Sequence, residues 1–114
     1  MAELGRVPCA FHARPEAFLP GTALATSQQF GLTQTDVFGV DSSGTLQVFW
    51  VAGGGTWNGP GQIGPVGFAL PSAPVSVCRQ AGVDGTMVFL VGQKGDINAF
   101  SVAGGGAWVG PKNV

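Results

Sequence analysis

The stretch TDVFGVDSSGTLQVFWVAGGGTWNGP, residues 35–60, returns 51 residues later as TMVFLVGQKGDINAFSVAGGGAWVGP, residues 86–111. Fourteen of these 26 positions carry the same residue in both copies, so the chain contains an internal duplication. Repeats of this period are typical of propellers and other arrays, because one unit cannot bury its own faces and needs neighbours. The duplication therefore predicts how the chain assembles before it predicts what the chain binds.

Each copy contains four short strand candidates that are separated by turn residues. The predicted strands are residues 23–29, 35–40, 45–52 and 56–63 in the first copy, and residues 74–80, 86–91, 96–103 and 107–114 in the second. Gly44 and Gly95 end equivalent turns, where glycine can adopt the positive φ that such a turn requires. Pro60 and Pro111 lack the amide hydrogen of a central strand, which indicates an edge strand.

The central strands are apolar on both faces, as in VFGV, LQVFWV and MVFLV. A strand of this kind is buried on both sides, and short sheets stacked radially around an axis meet that requirement. We therefore predict an all-β chain of two four-stranded antiparallel propeller blades. An N-terminal segment or linker is expected at residues 1–19, the first blade at residues 20–65 and the second at residues 66–114. A sandwich would need more strands with one polar face.

Two blades cannot close a ring, and each would leave an apolar face in water, which marks an interface. We expect an obligate homo-oligomer in which copies join head to tail. A trimer, which gives a six-bladed propeller, is favoured over a tetramer, which gives an eight-bladed one. Residues 15–18 resemble residues 65–68 and are expected to lead into a blade. Residues 1–14 could add a strand to a neighbouring copy or cover an edge. The chain could also be a fragment of a longer repeat protein.

The composition narrows the function classes. Five Lys and Arg stand against six Asp and Glu, giving a net charge of −1, so no basic surface for nucleic acid is expected. The chain has no run of about 18 apolar residues, so no membrane span is predicted. The N-terminus does not resemble a secretory signal, which favours a cytoplasmic protein or one released by a non-classical route.

Metal, redox and catalytic chemistry have little support in the sequence. Cys78 lies in an alternating apolar run, and we expect a buried free thiol rather than a bridge to Cys9. His12 has no neighbouring ligand residues, so neither a metal nor another cofactor is expected. No paired carboxylates, no Ser–His–Asp order and no phosphate-binding loop can be assembled, so we predict a protein that is not an enzyme.

Two blades in one short chain, with V-F-x-V, a turn glycine, a Phe-rich strand and G-x-W, resemble the small oligomeric propeller lectins of bacteria and fungi. Some of those lectins form six-bladed rings from three two-repeat chains. SQQFGLTQTDVF and GGGTWNGPGQIGP also resemble tandem blade repeats of larger bacterial proteins. The resemblance covers residues 20–114 and implies carbohydrate binding between adjacent blades. The Arg and Glu of fucose-binding members do not recur here, since Arg79 corresponds to Gln28.

A site that each blade uses should recur in both copies. The recurring polar and indole positions give the candidate ligand-binding residues Trp57 with Trp108, Gln29 with Gln80, and Gln47 with Asn98. Neutral amides beside an indole favour a neutral sugar, because amides both donate and accept hydrogen bonds. The alternatives are indoles that wedge blades apart, Gln29 and Gln80 lining a channel, and Gln47 and Asn98 satisfying backbone groups. The predicted function is a multivalent lectin; the alternative is a structural or protein-interaction propeller without a sugar site.

Overall fold

The computed structural model describes residues 17–28, 33–80, 82 and 84–114. Eight strands are present: β1 Ala25–Gln28, β2 Gln34–Val40, β3 Leu46–Ala52, β4 Asn58–Ile63, β5 Val75–Arg79, β6 Gly85–Val91, β7 Ile97–Ala103 and β8 Val109–Asn113. They form two four-stranded antiparallel sheets in the orders β1-β2-β3-β4 and β5-β6-β7-β8. We call these sheets blade 1 and blade 2. The prediction of an all-β chain with two four-stranded blades is confirmed.

The hairpin between β2 and β3 shows why the repeat requires its turn glycine. Gly44 has φ of 84°, and a Cβ at this position would overlap the carbonyl oxygen of Ala69. The buried Asp41 carboxylate closes the same turn by accepting hydrogen bonds from the backbone amides of Ser43 at 2.9 Å and Thr45 at 3.0 Å. Glycine is therefore needed here both for its φ and for the close approach of the linker.

The fourth strand of each blade lies at the edge of its sheet, as the prolines predicted. Pro60 is in β4 and Pro111 is in β8, and each of these strands pairs on one side only. The pairing with the third strand is interrupted by an irregularity at Val48 to Trp50 in blade 1, and at Ala99 to Ser101 in blade 2. A proline is tolerated at such an edge because its missing amide hydrogen would face away from the sheet.

The main core lies between the two blades. On blade 1, the covered face includes Phe38, Val40, Leu46, Val48 and Ile63; on blade 2, it includes Val77, Val88, Leu90 and Phe100. The two sheets approach most closely along β1, β2 and β5. The first strand of each blade is thus innermost and the edge strands β4 and β8 are outermost, as expected for blades placed radially around an axis.

Among the described residues, no sheet covers the opposite sides of the two blades. The open face of blade 1 carries Phe18, Leu24, Val37, Gly39 and Phe49 around a cavity of about 300 Å³. The open face of blade 2 carries Ser76, Phe89, Val91 and Ile97 around another cavity of about 300 Å³. A shift of 51 residues relates the open face of blade 2 to the covered face of blade 1. The same shift relates the open face of blade 1 to the covered face of blade 2.

A linker joins the blades and has a counterpart before blade 1. The Phe68 carbonyl accepts a hydrogen bond from the Gln93 amide at 3.2 Å, as the Ala17 carbonyl does from the Ser42 amide at 2.8 Å. Phe68 packs on Phe100 with ring centroids 5.4 Å apart, as Phe18 packs on Phe49 at 6.0 Å. Residues 17–24 therefore lead into blade 1 as residues 68–75 lead into blade 2. The exact domain boundaries stay a prediction, and residues 1–14 lie outside the described residues.

Cys78 corrects one expectation from the sequence. The thiol is free, but Cys78 is exposed rather than buried. Cys78 is in β5, where it pairs with Met87 of β6, and it lies on the open face of blade 2. An alternating apolar run predicts that a face is covered, and no sheet within the described ranges covers this one. Cys9, the alternative disulfide partner, lies outside the described residues.

Candidate functional site

A cleft of about 300 Å³ lies between the two blades, on the side of the triple-glycine turns. Blade 1 supplies Gln34, Val48, Trp50, Gly61 and Gln62, and blade 2 supplies Gly105, Gly106 and Trp108. None of these lining residues is charged. The cleft thus combines two indoles, two amides and exposed backbone at glycines, and it needs a wall from each blade.

Trp108 lies on the blade 2 wall, immediately before β8. The turn before it carries Gly104 with φ of 52°, and the Gly106 amide donates to the Ala103 carbonyl at 3.0 Å. The indole meets the Phe38 ring edge to face, with centroids 5.7 Å apart and planes at 82°. Trp108 is half-buried, so part of the ring wedges the blades and part lines the cleft. The two alternative roles of this residue are compatible.

Trp50 lies on the blade 1 wall, in β3. The ring covers Gly61 of the edge strand, where a Cβ would lie only 3.1 Å from Trp50 Cζ3. A side chain at position 61 would push the indole away, so glycine here allows Trp50 to lie against the sheet. Trp50 is half-buried and packs on the inter-blade core. The two indoles consequently flank one cleft from different blades.

A buried acid holds one of the cleft amides in place. Gln34 Nε2 donates a hydrogen bond to Asp36 Oδ1 at 2.9 Å. Asp36 is fully buried, and its Oδ2 has no hydrogen-bond partner in the described structure. Loss of hydration on burial raises the pKa of Asp36, and the hydrogen bond from Gln34 acts in the opposite direction. The acid orients Gln34 without itself lining the cleft.

The structure separates the six residues predicted from the sequence. Trp108 lines the cleft, whereas Trp57 lies at the equivalent turn of blade 1 and is 54% exposed, since neither blade of the described structure faces it. Gln80 is exposed beyond the end of β5. Gln29 lies outside the described residues. The proposed ligand roles of these four residues stay predictions.

The remaining two candidates hold turns on the opposite side of the blades. Gln47 is buried and donates through Nε2 to Asp41 Oδ2 at 3.1 Å. Asn98 is buried and donates through Nδ2 to the Asp96 carbonyl at 3.1 Å. Asn98 thus bonds to a backbone group, as the alternative role proposed, whereas Gln47 bonds to a side-chain carboxylate. The ligand roles of both residues stay predictions.

The recurrence criterion missed Trp50, Gln34 and Gly61. Their counterparts in the second copy are Ser101, Gly85 and Lys112. The two walls of a cleft between blades come from different positions of the repeat. The residues that line one cleft therefore need not recur at equivalent positions in both copies. The signal that could have found them is the single Trp50 beside a β-strand glycine, which marks a close packing position.

The described residues contain no group of three or more His, Cys, Asp or Glu side chains that could hold a metal ion. They also include no helix that would reach across a lipid bilayer. The side chains that line the cleft are neutral, and the polar groups among them are indoles and amides.

Two stacked four-stranded blades with a cleft between them define a pair of propeller-type repeats. The structure is similar to the crystal structure of the BP39L lectin from Burkholderia pseudomallei, with a TM-score of 0.80 and 43% sequence identity. The match covers 85% of this chain and 28% of that lectin chain, so this chain spans under a third of the length of its neighbour. No protein-family model and no curated protein matches the sequence. The predicted resemblance to a propeller lectin is confirmed by this match.

Proposed function

We propose that the chain is a carbohydrate-binding lectin, and that its cleft between blade 1 and blade 2 is a sugar site. The observation that carries this proposal is the pair Trp50 and Trp108 on opposite walls, with amides of Gln34 and Gln62 beside them. Similarity to a lectin over both blades supports it. The site has no charged lining residue, which favours a neutral sugar and a binding role without catalysis.

The chemistry of the cleft suits a sugar ring. A pyranose has an apolar C–H face that packs on an indole, and the indole N–H can donate to a hydroxyl. Gln34 and Gln62 offer amide groups, which donate and accept and so match hydroxyls that do both. Gly105 and Gly106 have no side chains, so a ligand can approach their backbone closely. Asp36 keeps Gln34 in a fixed orientation, which lowers the entropy lost on binding.

Copies of the chain join through their open faces in this proposal. Val40, Leu46 and Ile63 on blade 1 are at most 1% exposed, whereas their counterparts Val91, Ile97 and Val114 on blade 2 are 48%, 53% and 75% exposed. The open face of blade 1 matches the blade 2 surface that covers residues such as Leu46. The contact already present inside the chain therefore provides the geometry for a head-to-tail contact between copies. A ring of three copies stays part of the proposal.

A glycan array followed by calorimetry on the assembled protein tests the sugar site. We expect neutral glycans to bind, and Trp50→Ala or Gln62→Ala to weaken binding at least about fivefold, since an aromatic contact or hydrogen bond contributes roughly 1 kcal/mol. Gln93→Ala is the matched control, because Gln93 is an exposed glutamine outside the cleft and is not a candidate ligand residue. Gln80→Ala tests the alternative position that the sequence predicted. Circular dichroism verifies that each variant is folded.

Two results would contradict the sugar site. If no glycan on the array binds at millimolar concentration, the lectin function is ruled out. The alternative of a protein-interaction propeller then remains. Glycan binding that Gln80→Ala weakens and Trp50→Ala leaves intact places the sugar elsewhere on the chain.

A further inference from the structure

The wall that carries Trp50 has a counterpart on blade 2 with different chemistry. Trp50 and Gly61 correspond to Ser101 and Lys112 after the shift of 51 residues. In blade 1, Val48 pairs with Gly61 across β3 and β4; in blade 2, Ala99 pairs with Lys112 across β7 and β8. Positions 61 and 112 are thus equivalent in the register of the sheets. Blade 1 has a large indole beside a glycine, whereas blade 2 has a small hydroxyl beside a long cationic side chain.

The exchange is compensated in volume. A Cβ at position 61 would lie only 3.1 Å from Trp50 Cζ3, so a side chain there would have to displace the indole. Ser101 is much smaller than Trp50, so we expect room for a long side chain at position 112. Lys112 lies on the open face of blade 2, whereas its counterpart Gly61 lies on the covered face of blade 1.

The second wall needed to complete this cleft is already present on the other end of the chain. Gly54, Gly55 and Trp57 correspond to Gly105, Gly106 and Trp108. Trp57 is 54% exposed, and no blade faces it in the part of the chain that the structure describes. When the open face of blade 2 from one copy packs on the open face of blade 1 from the next, Trp57 lies opposite Ser101 and Lys112.

The charge of Lys112 is not neutralised within the wall. Lys112 is exposed and forms no salt bridge in the described part of the chain. The neighbouring wall positions Gly85, Ala99 and Ser101 carry no carboxylate. Asp84, next to Gly85, is paired with Arg79 at 2.7 Å. A ligand between Trp57 and this wall would meet one indole and one cation.

We propose that the cleft between copies is a second binding site that accepts carboxylated sugars, namely hexuronic or sialic acids. The indole of Trp57 packs on the sugar ring, and Lys112 of the adjoining copy binds the carboxylate by a charge-assisted hydrogen bond. This inference rests on the proposed lectin function and on the head-to-tail assembly. It makes the two kinds of cleft around the ring unequal: the cleft within a chain takes neutral sugars, and the cleft between chains takes acidic ones.

The test compares methyl hexosides with the corresponding methyl hexuronides, which differ only in the carboxylate at C6. Calorimetry on the assembled protein at low salt should detect both classes, and raising the salt should weaken the hexuronides alone. Lys112→Met should weaken hexuronide binding about fivefold or more and leave the hexosides unchanged. Lys94→Met is the matched control, since Lys94 is an exposed lysine in the hairpin between β6 and β7. Light scattering verifies that both variants assemble.

The outcomes separate this inference from the lectin function. If hexosides bind and hexuronides do not, or if Lys112→Met weakens neither class, the acidic site is overturned while the neutral site stands. If Lys112→Met and Lys94→Met weaken hexuronides equally, general charge attraction explains the binding and the site is overturned. If neither class binds, the lectin function is overturned together with this inference.

Discussion

Blade 1 and blade 2 are copies of one unit, yet the same position of the repeat is buried in one and exposed in the other. Leu46 of blade 1 has no exposed surface because blade 2 covers it, whereas Ile97 of blade 2 is half exposed. The order is reversed for the other pair: Phe100 is 1% exposed and Phe49 is half-buried, because the covered face of blade 2 corresponds to the open face of blade 1. Burial in this molecule therefore depends on the place of a residue in the stack as much as on its type.

The largest expected effect comes from placing a charge at the two equivalent positions. Leu46→Asp buries an unpaired carboxylate between the blades, and we expect it to cost several kcal/mol and to unfold the chain. Ile97→Asp places the same carboxylate on the open face, where water reaches it in the single chain, so we expect a smaller loss of stability together with loss of the proposed assembly between copies. Circular dichroism reports the fold and light scattering reports the mass.

The matched pair also defines the result that would break the comparison. If Ile97→Asp unfolds the chain as completely as Leu46→Asp, the single chain is not stable without its neighbours. If Ile97→Asp leaves the assembled mass unchanged, the open face of blade 2 is not where copies join.

A smaller difference is expected at the turn glycines. Gly44→Ala and Gly95→Ala both place a Cβ at positive φ, which costs roughly 1 to 2 kcal/mol. At Gly95 nothing lies within 4 Å of the added Cβ, whereas at Gly44 it overlaps the Ala69 carbonyl. Gly44→Ala should therefore destabilise the protein more than Gly95→Ala in urea unfolding. Equal free energies of unfolding would show that the linker moves aside at no cost.

The smallest effect concerns Asp36, whose counterpart in blade 2 is Met87. Because burial raises the pKa of Asp36, the folded protein binds a proton more readily than the unfolded chain. Stability from this group is present below the ordinary pKa of 3.8 and is lost as pH rises through the raised pKa. Asp36→Asn should thus stabilise the protein at pH 7, by roughly 1 kcal/mol.

Thermal melts of Asp36→Asn and the original chain between pH 3 and pH 8 check this sign. The advantage of the variant should shrink as the pH falls, because the native acid becomes protonated and neutral. An advantage that grows as the pH falls would show that Asp36 is stabilised as a carboxylate.

The sequence predicted the strands well because their signals are local. Turn glycines such as Gly44 and edge prolines such as Pro60 mark the ends and the order of the strands, and all eight strands lie within about two residues of their predicted bounds. The resemblance to a lectin followed from the same repeated residues. These signals describe one unit and need no knowledge of its neighbours.

The cleft was harder to predict because it belongs to two units at once. Trp50 was not among the candidate ligand-binding residues, since its counterpart in the second copy is Ser101. The structure places Trp50 opposite Trp108 in the cleft. Gln47 was selected since it corresponds to Asn98, and in the structure it donates a hydrogen bond to Asp41 of the neighbouring turn. Cys78 was expected to be buried because an alternating apolar run does not tell whether a second sheet is present. Each case depends on which blade lies next to which.

The origin of the cleft walls in two separate sheets has a thermodynamic consequence. A molecule bound between Trp50 and Trp108 would hold the two sheets together, because the molecule would lose half of its contacts when the sheets separate. A ligand concentration of about 100 times the dissociation constant would add roughly 2.7 kcal/mol to the free energy of separating the sheets. The melting temperature of the protein would then serve as a direct gauge of which small molecules the cleft accepts.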